Sequence, residues 1–361
     1  MYSLSPGFRI PAIQRGLSPL EVLATKMNAG VGAAVMASAL IQPPPIAAFG
    51  AVAAVAGLIN VTAGRRSVAR WATVGLRHWR EHTTPDLTAS TGTTRTWTLY
   101  PHQGTMQDPV LRAAFHSRFA QALDFAAGRA RTAGIQVHVT HHADVDGDTT
   151  HTQTISVHIP QGVVGYPDRV MATLEGEFAA LGSLTAVTSE DTPPEVVSKA
   201  PGWVELDDGW YASTARITRW PTETGGDLMT QLALGDKVDE HVDRSVAVLY
   251  RPLPIRQSRR SAKWSEAAGQ VFTNDKVAQA ANAETSDATH GALIDGATLV
   301  DVDAYLTVWG TSPETVTEAR LDAELVADRL RIGLDWLTGQ QHRAHVMTTP
   351  HGVSTKKGAI V

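Results

Sequence analysis

Residues 22–61 read VLATKMNAGVGAAVMASALIQPPPIAAFGAVAAVAGLINV, and the fold turns on whether this stretch meets lipid or protein. Two Ala/Gly-rich apolar segments, Val22–Ile41 and Ile46–Val61, flank the turn Gln42-Pro43-Pro44-Pro45. A spanning helix needs about 20 mostly apolar residues. The second segment reaches that length only with its flanks. The first carries Lys26 and Asn28, so its cleanly apolar part is Ala29–Ile41. A lysine near a helix end can snorkel to the headgroups. Gly30, Ala34 and Ser38 on one segment, and Gly50, Ala54 and Gly57 on the other, favour close helix contact. The competing reading is a helical hairpin buried in a soluble scaffold protein.

Charge placement favours lipid. Arg9 and Arg15 precede the first segment; Arg65, Arg66, Arg70, Arg77 and Arg80 follow the second; the loop between is uncharged. Basic outer flanks place both ends in the cytoplasm. Trp71 and Trp79 on the amphipathic stretch 67–81 suit a lipid interface, so Arg65, Arg66, Arg70, Trp71 and Trp79 are read as cytoplasmic-side anchors. Residues 1–82 are therefore expected to form a membrane-anchoring hairpin at the inner membrane, with the bulk of the chain in the cytoplasm. The first apolar segment starts too far from Met1 for a signal peptide.

The chain has 361 residues, a net charge of -5 and no cysteine. Its basic residues are not pooled, so nucleic-acid binding by a basic surface is not expected. Lack of cysteine removes disulfide frameworks, zinc ribbons and thiol nucleophiles.

Beyond a Thr/Ser/Gly/Pro-rich linker at 83–94, periodicity predicts strand, helix, strand, strand, helix and strand over 95–100, 109–132, 135–142, 152–159, 166–181 and 184–188. That order is the split βαβ, ferredoxin-like motif. A proline-bearing linker at 192–201 leads to a second lobe. Strands at 203–206 and 210–220 flank the turn Asp207-Asp208-Gly209. A short helix at 226–234, strands at 242–251 and 298–309, and a helix from Pro313 to about Leu334 follow, capped by Ser312. Gln341–Thr348 is expected as the strand that closes the sheet. The expected fold class is α+β: a two-helix transmembrane hairpin, then two ferredoxin-like cytoplasmic lobes at 95–190 and 203–349. The second lobe carries an insertion at about 254–297, and 350–361 is a tail.

Chemistry-bearing motifs are sparse. His138, His141, His142, His151 and His158 cluster around Asp144, Asp146 and Asp148. On a hairpin, alternate residues share a face, so His138 and His142 with Asp144 and Asp146 are weak candidates for a divalent metal. A solvated polar hairpin tip accounts for the same residues, and no metal or other cofactor is expected. Asp144-Val145-Asp146 also fits the Asp-x-Asp metal site of a membrane-tethered, glycosyltransferase-like enzyme, the rival functional reading. No phosphate loop and no G-x-S-x-G elbow occurs. Arg256, Arg259, Arg260 and Lys263 form a basic run suited to an acidic partner, or simply to a solvated face.

The succession Asp208-Gly209-Trp210-Tyr211, Trp220-Pro221, the strand ending Arg251-Pro252, Trp309-Gly310-Thr311 and Leu337-Thr338-Gly339-Gln340-Gln341 resembles the EccE family of actinobacterial type VII secretion proteins and their conjugation-associated relatives. The resemblance covers residues 208–349. It implies two membrane helices, a cytoplasmic domain and no catalytic motif. It further implies a non-catalytic structural subunit of a secretion translocon, in contact with other membrane subunits of that complex and with lipid.

Overall fold

The computed structural model describes residues 62–63, 66–67, 92–105, 107–144, 150–187, 195–221, 228–234, 243–258 and 298–349. The chain divides into two compact units, one of residues 1–85 with 338–340 and one of the remainder. Within the first, the described residues form one short antiparallel ladder, β1 (Thr62–Ala63) with β2 (Arg66–Ser67). Arg66 therefore sits in a strand, where the sequence reading places a juxtamembrane segment. The hairpin residues Gly30, Ala34, Ser38, Gly50, Ala54 and Gly57, and the anchors Arg65, Arg70, Trp71 and Trp79, lie outside the described residues. Among the described residues no helix is long and apolar enough to cross a membrane. The inner-membrane location and the transmembrane part of the expected fold class are corrected accordingly.

The second unit is built on a sheet. Its first half runs β3 (Gly92–Pro101), α1 (Pro109–Arg129), β4 (Gln136–Asp144), β5 (Thr150–Pro160), α2 (Pro167–Ala179) and β6 (Gly182–Ala186). Its second half runs β7 (Val196–Lys199), β8 (Val204–Leu206), β9 (Tyr211–Arg219), α3 (Leu228–Leu234), β10 (Arg244–Pro252), β11 (Val300–Gly310), α4 (Pro313–Arg329) and β12 (Gly333–Trp336). A short helix α5 (Gln341–Ala344) and a 3-10 turn (His345–Thr348) end the described chain.

Local chemistry sets these boundaries. Asp108 accepts the Val110 amide at 2.7 Å and Pro109 opens α1. At the start of α4, the Ser312 hydroxyl accepts the Thr315 amide while the Thr315 hydroxyl accepts the Ser312 amide, a reciprocal cap. Gly209, at φ +84°, supplies the left-handed residue of the turn between β8 and β9, and the Trp210 amide donates to Asp208 Oδ1 at 3.0 Å.

All strand pairs are antiparallel, in the order β6-β3-β5-β4-β10-β11-β9-β8-β7, with β12 also on β9. This single ten-stranded sheet corrects the expectation of two ferredoxin-like lobes. The two halves meet where β4 pairs β10, from Ala143 opposite Arg244 to Val137 opposite Tyr250. An unpaired strand edge exposes a row of N–H and C=O groups. Joining β4 to β10 satisfies both edges at once.

The helices cover one face. Under α1 and α2 lie Trp97, Leu99, Val137, Val139, Ile155, Val157 and Ile159; under α3 and α4 lie Ala215, Ile217, Val246, Val248, Leu306 and Val308. Tyr250 packs against both clusters, and its ring meets Phe119 of α1 edge-on at 5.1 Å. The two cores are thus continuous across the β4–β10 seam.

Candidate functional site

The other face of the sheet is polar, yet much of it is buried. Alternate strand residues point to opposite faces, so His138, Thr140 and His142 of β4 lie on the face away from the helices. So do Ser156 and His158 of β5, Ser245 of β10, Thr307 of β11 and Thr214 of β9. Several of their hydroxyls and imidazoles bond across the strands, whereas Thr140 Oγ1 is buried with no hydrogen-bond partner among the described residues. Thr96 donates to Ser156 Oγ at 2.9 Å, and Thr94 Oγ1 lies 2.8 Å from His158 Nδ1. The indole N–H of Trp309 donates to Ser245 Oγ at 2.9 Å, and that hydroxyl lies 2.8 Å from His142 Nδ1.

The C-terminal segment Gln341–Thr349 is fastened over the middle of this face. Thr348 donates to Thr307 Oγ1 at 2.6 Å, and Thr307 and Thr214 hydroxyls are 2.7 Å apart. His138 Nε2 donates to the Met347 carbonyl at 2.6 Å. That bond fixes the ring as the Nε2–H tautomer, and its Nδ1 has no hydrogen-bond partner among the described residues. Burial holds the pKa of His138 down at about 4, against a smaller upward pull from the Met347 carbonyl. His345, inside the segment, is likewise lowered to about 4, by burial first and then by His342. Ala344 and Met347 pack with Tyr305 and Leu337 beneath the segment.

Gln341 makes the most specific contact. On the outer edge of β9, β8 pairs residues 211–212 and β12 pairs residues from Ala215 onward. Thr214 falls in the gap. Its amide donates to Gln341 Oε1 at 2.7 Å, and Gln341 Nε2 donates to the Thr214 carbonyl at 3.1 Å. A side-chain amide thus replaces one rung of backbone ladder.

Nearby, Arg216 of β9 and Arg251 of β10 both pair with Asp303 of β11, and Arg251 also reaches Asp301 at 2.8 Å. Burial works against the charge of Arg251, but Asp303 and Asp301 outweigh it and raise its pKa. Burial, with Asp303 beside it, pushes Tyr305 up to about 12.

The residues singled out from sequence are scattered. His138 and His142 share the polar face as expected, but each is committed to a partner on a different element. The side chain of Asp144 and the whole of Asp146 lie outside the described residues, as do Arg259, Arg260 and Lys263. Arg256 is exposed on a helical turn at 255–258. Among the described residues no three His, Asp or Glu side chains converge as a metal cage. Gln341, Thr214 and Thr307 were missed by sequence reasoning; the second of two adjacent glutamines after a single Gly carries no periodic signal. No protein-family model matches the chain and no curated protein matches it. The membrane-protein, type VII secretion and translocon terms are corrected with the membrane location, since neither a spanning helix among the described residues nor a relative carries them.

Proposed function

We propose that this chain is a non-catalytic structural subunit of a larger bacterial protein complex. The observation that carries the reading is the fastening of Gln341–Thr349 to the polar sheet face. His138 Nε2 and the hydroxyls of Thr214, Thr307 and Thr348, which a catalytic role would draw on there, are engaged in bonds that hold the fold together. A second observation supports a partner. On the outer face of α4, Leu321 and Leu325 are 60% and 66% exposed, one turn apart, with Glu318 and Asp328 a turn to either side. Paired exposed leucines between carboxylates suit a neighbouring subunit with an apolar, basic surface.

The test is isolation of the tagged full chain from its own cells under native conditions, beside L321E/L325E. The parent should elute in a stoichiometric complex, and the variant should keep its circular dichroism but lose its partners. A parent that elutes alone refutes the reading. The rival enzyme reading is tested by equilibrium binding of UDP-sugars with and without Mn²⁺. Saturable, Mn²⁺-dependent binding that D144N/D146N abolishes would replace our proposal.

A further inference from the structure

On the helix-covered face, at the hairpin end of β4 and β5, two imidazoles meet head to head. His141 Nδ1 lies 3.2 Å from His151 Nε2, with ring centroids 5.3 Å apart and planes 12° from parallel. The register explains the meeting. His141 is opposite Gln153 and His151 is opposite Ala143, so the two histidines are diagonal neighbours on one face. His142, the residue favoured from sequence, is turned to the other face and bonded to Ser245.

We propose that His141 and His151 form a two-nitrogen chelate for a borderline divalent cation of the Zn²⁺, Ni²⁺ or Cu²⁺ class, with water completing the shell. Imidazole nitrogen binds zinc at about 2.0–2.1 Å, so a 3.2 Å separation subtends about 100° at the metal, close to the tetrahedral angle. Such cations accept imidazole readily, whereas Mg²⁺ and Ca²⁺ prefer oxygen cages. His151 is exposed and His141 half-buried, so the pair is open to solvent. An ordinary imidazole is already mostly neutral at pH 7, so neither ring need lose a proton to ligate. In the metal-free pair one ring donates an N–H to the other. Binding moves that proton to the far nitrogen of the same ring, and both facing lone pairs go to the cation with no net proton release. The nearest guanidinium in register, Arg244 opposite Ala143, is already paired with Asp322, which offsets its repulsion of a cation.

The test uses the full chain and titrates Zn²⁺ and Cu²⁺ by calorimetry, with Cu²⁺ EPR to count nitrogen ligands. The sequence holds 14 histidines, so the readout is the difference between parent and variants. H151A removes an exposed ring and leaves the core intact. It should eliminate one binding event, or weaken it at least about tenfold (about 1.4 kcal/mol), and reduce the copper nitrogen count. H141N should do the same, while H142N should leave that event in place. Unchanged affinity and nitrogen count in H151A overturns the proposal. So does a parent that binds neither cation, or a site that survives H151A but is lost in D144N/D146N.

Discussion

Replacing Gln341 should expose how much one side chain contributes to holding the sheet together. The residue is 1% exposed and Thr214 is fully buried. In Q341A the two bonds at 2.7 and 3.1 Å are lost. The Thr214 carbonyl keeps the Leu337 amide at 3.0 Å, but the Thr214 amide is left buried without an acceptor. Two net hydrogen bonds at about 1 kcal/mol each and an orphaned donor at about 1–3 kcal/mol give a loss of about 3–4 kcal/mol, allowing for overlap between these terms. At a urea slope of about 3 kcal/mol/M that is a midpoint shift of about 1 M. The companion variant Q341E separates polarity from shape. At neutral pH its carboxylate can accept from the Thr214 amide but cannot donate to the carbonyl. Once protonated it regains a donor. Its deficit against the parent, measured by urea unfolding at matched pH, should therefore shrink as the pH falls. A Q341A deficit under about 1 kcal/mol, or a Q341E deficit that grows on acidification, would refute the bridging role.

Three further outcomes are expected. His138 and His345, both buried, each sit at about 4 when folded, against the ordinary 6.5. Between these values the unfolded chain binds more protons than the folded one, so stability is intact above about pH 6.5 and falls as the pH drops toward 4. At pH 5 the loss is about 2 kcal/mol per histidine, and urea unfolding at pH 7 and pH 5 reads it; equal midpoints would contradict the buried neutral state. Arg244 is 2% exposed and pairs with the half-exposed Asp322. D322N should cost about 2 kcal/mol, reduced from the fully buried case by solvent at the carboxylate, and R244M/D322N should recover most of it; an additive double variant would show the two do not act as a pair.

Strong local periodicity made most elements legible. Leu111, Phe115, Phe119 and Leu123 announce α1, and Pro313 after Ser312 marks the start of α4. Three elements were misjudged, each because a non-local contact decided it. Val196–Lys199 reads as linker between prolines, yet it is a strand because it has β8 to pair with. The expected α4 runs through residues 330–334, since its apolar spacing persists there. The helix in fact ends at Arg329. Leu330 caps it and Arg331 turns left-handed at φ +59°, an unusual state for a side-chain-bearing residue, which frees Gly333–Trp336 to pair β9. Gln341–Thr348 reads as a closing strand, but the outer edge of β9 is already occupied by β8, β12 and the Gln341 amide, so the segment coils across the face. The site suffered for the same reason. Alternation placed His138 and His142 on one face correctly, but only the register of β4 on β5 shows that His141 meets His151.

The division into lobes failed for a more general reason. In the first half the strands lie in the order β6-β3-β5-β4, so the second strand of the half is an edge; in the second half β10, its counterpart, is an edge as well. Taken alone, each half would offer solvent an unpaired strand carrying Val137 and Val139, or Val246 and Val248, on its apolar face. Sequence periodicity describes one strand at a time and cannot say whether such an edge is charged, covered or paired. Here both edges are solved by each other. Val139 lies opposite Val248, Val137 opposite Tyr250, and the Tyr250 ring carries the seam into the α1 core through Phe119. A composition change at 192–201 looks like a domain boundary, but continuity of buried surface across β4 and β10 makes the two halves one cooperative sheet. The C-terminal segment reinforces this from the other side, since His138 on β4 and Thr307 on β11 are bonded to the same short stretch, Met347–Thr348. Both faces of the seam are thereby tied, which fits a rigid platform better than a pair of lobes that move to open and close a site.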